Sequence, residues 1–563
     1  MLEGPRGSAT RTNLVDSAFA IVLLGVPILF GYATLAPERI GLSRAPHHLP
    51  QMVAAAIVPA PMPGAPPATP SPTTAVPSGG SVAPGTLTGL ATTATAATTT
   101  VGVPPAAVGV PPAVPSAIPT PVATVPPAPP IASVRPVLVP PPAVTPTPPG
   151  PDVPRVSWPG TISGRVVDED GKPLPGASVV VGGREYRVGE DGSFTLTPPP
   201  HAALIAKLPG YARVVVEPTT KSPLEIVLKP QVIKAAYLTY FGFGDRGIRS
   251  RVLNLLDKTE LNAVVIDVKG DRGWIIYPTR VELALSAGAQ GPGTLRHFDV
   301  LMAELKARGI YTIARIVTFK DNILAHHRPD WAVIDTKTGK PWIDRENLAW
   351  VDPFREEVWN YNIAIAHEAI ERGFDEIQFD YVRFPTDGKL AHARYARPVN
   401  RETRVPAIAG FLERARRELG ARGAYVAGDV FGYTAFNEND TDIGQRIEEL
   451  APHLDYICPM VYPSGYHVGI PGFRNPVKHS YEVVRESVRL VRKRAAHTPV
   501  RVRPWLQDFR DYAFDRRVFG VAEVRDQIRG ADDGGATGWM LWNPRNDYTA
   551  AALRAKSPLA EQR

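Results

Sequence analysis

The chain has 563 residues, with 62 Lys and Arg against 55 Asp and Glu, 61 Pro, nine Trp, a single Cys and a net charge of +7. That length exceeds one domain, and a lone cysteine, Cys458, excludes an intrachain disulfide framework. A charge of +7 spread over the whole chain does not indicate nucleic-acid binding.

Residues 1–16 contain Arg6 and Arg11 and lead into an uncharged, largely apolar run from Ser17 to Ala36. Roughly 20 such residues are what a helix needs to cross a bilayer core of about 30 Å. We read 17–36 as a transmembrane helix and 1–16 as the cytoplasmic N-terminus. A cleaved signal peptide is the alternative, but Pro37 directly follows the small-residue site Thr34-Leu35-Ala36 and makes a poor first residue after cleavage. Arg39 and Arg44 balance Arg6 and Arg11, so the positive-inside rule has little asymmetry to act on.

Residues 37–157 are rich in Pro, Thr and Ala. Between Pro46 and Pro151, Arg135 is the only charged residue, and roughly half of the prolines fall there, a composition that cannot bury a core. It reads as a disordered, semi-rigid stalk near polyproline II, extending about 3.1 Å per residue. A stalk directly after an anchor places the rest of the chain outside the membrane. A disordered intracellular linker is the alternative.

Residues 158–230 alternate short Val/Ile/Thr runs with Asp-Gly, Pro-Gly and Gly-Gly turns at intervals of about ten residues, the pattern of a small antiparallel β-sandwich. The stretches GRVVDEDGKPLPGASV, GEDGSFTL and LPGY resemble the carboxypeptidase regulatory-like domain. That resemblance implies an immunoglobulin-like spacer or weak adhesion module with no active site of its own.

From Ala235, strand-like runs alternate with amphipathic helical stretches. The strands are AAYLTY at 235, AVVIDV at 263, YTIARIV at 311, EIQFDYV at 376, YVAGDVF at 425, YICPMVY at 456, VRPWLQ at 502 and GWMLW at 538. Helical runs such as FDVLMAELKARG, REEVWNYNIAIAHEAIERG and VPAIAGFLERARRELG each end on a Gly suited to a C-cap. Eight βα units over about 330 residues predict a (β/α)8 TIM barrel across 231–563. The fold class is therefore α/β, with the barrel preceded by a small all-β sandwich.

In such a barrel, polar residues that close apolar strands face one mouth. Asp267 and Lys269 close the second strand, Arg315 and Lys320 flank the end of the third, and Asp380 closes the fourth. Asp429 closes the fifth, Tyr462 the sixth, Gln507 and Asp508 the seventh, and Trp542 and Asn543 the eighth. Glycosidic cleavage needs one carboxyl to protonate the leaving oxygen and another to attack the anomeric carbon or activate water. Asp380 is the expected nucleophile or base, held ionised by Arg383 and Lys269. Asp429, among small and apolar neighbours, is the expected general acid, with Asp508 as competitor. Asp267, Lys269, Arg315, Arg383, Tyr462, Trp505, Trp542 and Asn543 are expected to bind substrate. Trp274, Trp331, Trp342 and Trp350 are further candidates for stacking on sugar rings.

The stretches NAVVIDVKGDRGWIIYPT, ARIVTFKD, FDEIQFDYVRFP, GDVFGY, YICPMVYPSGY and GWMLWNP are similar to the glycoside-hydrolase-like family known as domain of unknown function 4015. The likeness spans residues 233–548. It implies a TIM barrel and a carbohydrate-active enzyme, and analogy with amylase-like and galactosidase-like barrels supports Asp380 as the nucleophile.

Gly242, Gly244 and Gly247 spell a dinucleotide-binding G-x-G-x-x-G between a strand and a helix, but eight consecutive βα units close a barrel instead of an open sheet. His326, His327 and His453 lack zinc-ligand spacing, and the acidic loop 437–442 reads as a solvated turn rather than a calcium site. No metal or cofactor is implied. The expectation is a single-pass cell-membrane protein, monomeric, whose extracytoplasmic barrel hydrolyses a cell-wall or extracellular polysaccharide. The alternative is a non-catalytic barrel that binds glycan.

Overall fold

The computed structural model describes residues 156–556. The helix read at 17–36 and nearly all of the stalk lie outside the described residues. Among the described residues no helix is long and apolar enough to cross a membrane.

Seven short strands make the first layered unit: β1 (Ile162–Val167), β2 (Ser178–Val181), β3 (Arg184–Arg187), β4 (Ser193–Leu196), β5 (Leu204–Lys207), β6 (Val214–Val216) and β7 (Leu224–Val227). They form sheets of order β4-β1-β7 and β3-β2-β5-β6. Period-2 alternation sends Ile162, Val166, Val179, Val181, Phe194, Leu196, Leu204 and Ala206 into the core between the sheets. The sandwich is not purely antiparallel, because β1 and β7 run parallel.

The second unit is built on β8 (Ile233–Leu238), β9 (Ala263–Lys269), β10 (Tyr311–Val317), β12 (Glu376–Asp380), β14 (Tyr425–Phe431), β15 (Tyr456–Met460), β17 (Trp505–Gln507) and β18 (Gly538–Trp542). Each pairs in parallel with the next, and β18 pairs back to β8, which closes an eight-stranded barrel. An open dinucleotide-binding sheet is thereby ruled out. The seventh strand is interrupted, its first part being β16 (Arg501–Val502), because Pro504 offers no N–H to a ladder. A small ladder of β11 (Ile334–Asp335) with β13 (Ala393–Arg394) joins the loops after the third and fourth barrel strands.

Helices at Arg246–Lys258, Phe298–Ala307, Glu356–Glu371, Arg401–Gly420, Ser480–Arg494 and Val521–Gly534 form the outer layer. Two of the expected C-cap glycines, Gly309 and Gly373, do lie just past helix ends with positive φ. The third expectation fails: Gly420 is the last residue of its helix, and Gly423 takes the left-handed position instead.

Alternation along each barrel strand sorts the residues. Val264, Ile266 and Val268 face the helices, whereas Ala263 and Val265 join Tyr311, Ile313, Tyr425, Ala427, Tyr456, Cys458, Trp505 and Met540 inside the barrel. The fourth strand is polar at every inward position, Glu376, Gln378 and Asp380. Glu376 accepts from Arg503, with both side chains fully buried, and from Tyr311 Oη at 3.0 Å. Gln378 Nε2 meets Met540 Sδ at 3.5 Å in the middle layer. Asp380 lies uppermost.

The sandwich seats on the N-terminal end of the barrel. Tyr425 Oη, at the start of the fifth strand, donates to Leu208 O at 2.9 Å, and Tyr456 Oη accepts from Gly210 N at 2.8 Å. Lys207 Nζ donates to Ala424 O at 2.8 Å. Arg416 bridges Glu185 at 2.7 Å and Asp455 at 3.1 Å, and Arg213 pairs with Asp375 at 2.5 Å. The LPGY turn that looked like a spacer motif is the segment docked against the barrel.

Candidate active site

Arg315 organises the C-terminal mouth. Inward-facing on β10, it donates Nη1 to Asp267 Oδ1 at 2.6 Å, and both Nη2 and Nε to Asp380 Oδ2 at 2.5 and 3.0 Å. The strand register places it beside both partners, opposite Asp267 on one side and two residues short of Asp380's row on the other. Asp267 Oδ2 also accepts from Tyr237 Oη at 2.5 Å. Tyr237 stacks on Trp542 with ring centres 3.9 Å apart, and the Arg315 guanidinium lies 5.0 Å from the Trp542 ring centre. Tyr237 is a site residue that the sequence reading missed, although it occupies the inward phase of the first strand.

Asp380 ends the fourth strand where the backbone turns sharply. Tyr381 adopts φ of 49°, a left-handed conformation that costs a non-glycine residue about 1–3 kcal/mol. The turn brings its N–H to Asp380 Oδ1 at 2.6 Å. Both Asp380 oxygens are thus acceptors, and all their donors are N–H groups.

Asp429 differs. Its Oδ1 accepts from Trp505 Nε1 at 2.8 Å, while Oδ2 is buried with no hydrogen-bond partner among the described residues. Burial first, then the negative charge of Asp380, pushes its carboxyl well above the usual range, and Arg315 opposes this only in part. The raised carboxyl and the orphaned Oδ2 together set Asp429 apart from the N–H-bound Asp380. Tyr462 is half-buried nearby, and burial together with the charges of Asp429 and Asp380 raises its phenol well above 10. Asp267, Arg315 and Asp380 keep about 5% exposure each, whereas Asp429 keeps 1%.

Several expected site residues stand elsewhere. Lys269 does not hold Asp380: it is fully buried and paired with Asp321 at 2.6 Å, beside the Tyr361 ring of the outer helix layer. The cause is a bulge, since Arg315 pairs with Asp267 but Ile316 pairs with Lys269, so the strand slips one residue and Lys269 points outward. Arg383 does not touch Asp380 either, and Arg315 supplies that contact. Asp508 is tied by both oxygens to Thr549, Oδ2 to the amide at 2.8 Å and Oδ1 to the hydroxyl at 2.6 Å. Burial lifts it to about 6 despite these bonds. Asn543 holds the same turn, with Oδ1 accepting from Arg545 N at 2.8 Å. Trp505 is buried beneath Asp429 and is no stacking platform. Trp342 and Trp350 are likewise buried, donating to Lys389 O and Asp344 Oδ2, each at 3.0 Å. Lys320 pairs with Asp344 at 2.9 Å and with Glu346.

A closed parallel barrel with Asp267, Asp380 and Asp429 at the carboxyl ends of its strands defines the class of domain. The chain belongs to the family described as "putative glycosyl hydrolase domain", domain of unknown function 4015, which matches residues 235–548. Residues 161–229 match the carboxypeptidase regulatory-like domain. Among solved structures, the chain is similar to a hypothetical protein from Ruminiclostridium thermocellum, with 35% identity over 35% of this chain and 97% of that one, at a TM-score of 0.31. It is similar to the glycoside hydrolase domain of PgaB (BpsB) from Bordetella bronchiseptica, with 16% identity over 58% of this chain and 100% of that one, at a TM-score of 0.43. A chitinase from Chromobacterium violaceum has 13% identity over 57% of this chain and 97% of that one, at a TM-score of 0.35. No curated protein matches the chain.

Proposed function

We propose that the protein is a glycoside hydrolase in which Asp380 and Asp429 are the paired carboxyls. The observation that carries this is their opposite settings on neighbouring strands: Asp380 accepts N–H donors on both oxygens, two of them from Arg315, while burial raises the Asp429 carboxyl and leaves one of its oxygens unpaired among the described residues. Asp429 would deliver its proton to the leaving oxygen, and Asp380 would attack the anomeric carbon or activate water. Arg315 orients Asp380 and spreads its charge toward Asp267, and Tyr237 fixes Asp267 in turn. Trp542 and Tyr462, half-buried at the rim, would contact the sugar.

The reading extends to a polysaccharide of the cell wall or extracellular matrix, reached by a barrel held outside the cell by the 17–36 helix and the Pro-rich stalk. Support for that placement is the sequence of the stalk and the run before it. Membrane fractionation of the full chain and of one lacking residues 1–36 tests it, since only the former should sediment with membranes. Hydrolysis itself is tested by release of reducing ends from wall and matrix polysaccharides by wild type, Asp380→Asn and Asp429→Asn. A second reading, glycan binding without turnover, is favoured by the 1% exposure of Asp429. Binding with no release of reducing ends from any polysaccharide by wild type would establish it.

A further inference from the structure

Six cations are buried among the described residues, and five have a carboxylate partner: Lys207 with Glu185, Lys269 with Asp321, Arg315 with Asp267 and Asp380, Lys320 with Asp344 and Glu346, and Arg503 with Glu376. Arg383 is the sixth. It is 7% exposed, and among the described residues no carboxylate oxygen lies within 4.0 Å of it. Its guanidinium instead lies 5.1 Å from the Trp350 ring centre, 4.9 Å from Tyr381 and 4.6 Å from Phe431. Nη1 donates to Phe384 O at 3.0 Å and to Thr386 Oγ1 at 3.4 Å. Ring faces attract a cation but return only part of its lost hydration, so a desolvated guanidinium keeps a strong demand for an oxyanion. Burial pushes its pKa down, and the charges around it do not restore it.

The location gives that demand a meaning. Arg383 follows Asp380 by three residues; Tyr381 adjoins Asp380, and Phe431 ends the strand that carries Asp429. Beside the proton-donating Asp429, the inner mouth carries two carboxylates, Asp267 and Asp380, against Arg315 among the described residues, and would repel an anionic sugar unless a further cation offset it. We propose that Arg383 receives an oxyanion borne by the sugar chain, a uronate carboxylate or a sulfate ester, so that the mouth takes an anionic glycan. This rests on the hydrolase reading only for the identity of the mouth as the glycan site.

The test is equilibrium binding of the full chain to oligogalacturonates, to the same oligosaccharides after carboxyl reduction, to sulfated dextran oligosaccharides and to plain dextran. A charge-assisted contact predicts that wild type prefers at least one anionic form over its neutral counterpart by about 10- to 100-fold. Arg383→Gln should lose that preference while binding the neutral form unchanged, and Arg383→Lys should keep part of it. Preference for the carboxylate pair alone, or for the sulfate pair alone, supports the proposal and identifies the oxyanion. Absence of preference in both pairs, or a preference that survives in a folded Arg383→Gln, overturns it. If wild type shows the preference yet releases no reducing ends from these oligosaccharides or from wall and matrix polysaccharides, the hydrolase reading fails and the anion site stands.

Discussion

The two ends of the barrel are built from the same inward-facing ladder and resolve its charges differently. At the N-terminal end Glu376 meets Arg503 one to one, Tyr311 completes the carboxylate, and the sandwich closes the opening through Tyr425, Tyr456 and Lys207. At the C-terminal end Arg315 serves two carboxylates, and a third, Asp429, is left with one indole donor and an orphaned oxygen. Balanced charge at one end and acidic excess at the other separate the part of the barrel that holds it together from the part poised for chemistry.

The largest way to break the comparison is at the mouth. Asp380→Asn keeps the shape and loses the charge, so hydrolysis should fall by roughly 1000-fold or more, which corresponds to about 4 kcal/mol, while the melting temperature changes little. Initial-rate assays beside a thermal melt check it, and turnover near wild type would remove Asp380 from the mechanism. At the opposite end, Arg503→Leu strands Glu376 in the interior and should destabilise the fold by about 3–5 kcal/mol. Denaturant unfolding measures that loss, and the folded fraction should retain its activity per molecule.

A smaller effect sharpens the sandwich contact. Burial alone would raise Glu185, but Arg416 and Lys207 bring it down from 4.5 to about 2. The sign follows from the lowered value: its contribution is complete above pH 4.5 and is lost as pH falls toward 2, by about 3 kcal/mol at most. Glu185→Gln should therefore lower the melting temperature at pH 6 and match wild type more closely near pH 2. Smallest is Tyr425→Phe, which removes the Leu208 hydrogen bonds and should cost about 1–2 kcal/mol without altering hydrolysis.

Much of the barrel was legible in the sequence, because parallel strands buried on both faces read as short β-branched runs. YTIARIV, YVAGDVF and GWMLW coincide with β10, β14 and β18 to the residue. Of the polar residues named at strand ends, Asp267, Arg315, Asp380 and Asp429 lie together in the structure. The strand-end rule failed where geometry departs from strict alternation or where partners are remote in sequence. A one-residue bulge turned Lys269 away from the mouth. Thr549, 41 residues beyond Asp508, claims that carboxylate, and Glu376 finds Arg503 across 127 residues. The docking of LPGY against Tyr425 and Tyr456 is equally non-local, so the sequence showed the sandwich but not its contact with the barrel.

The account stands most directly on the proton carried by Asp429, and the pH dependence of kcat/KM for a hydrolysed glycan reads it. A raised carboxyl acting as general acid is competent while protonated, so activity should persist above the pH at which an ordinary carboxyl ionises and fall as pH rises through its titration. In Asp429→Asn that alkaline limb should vanish, and the residual activity should be greatest on glycosides with good leaving groups. An alkaline limb of unchanged position in Asp429→Asn would contradict the account.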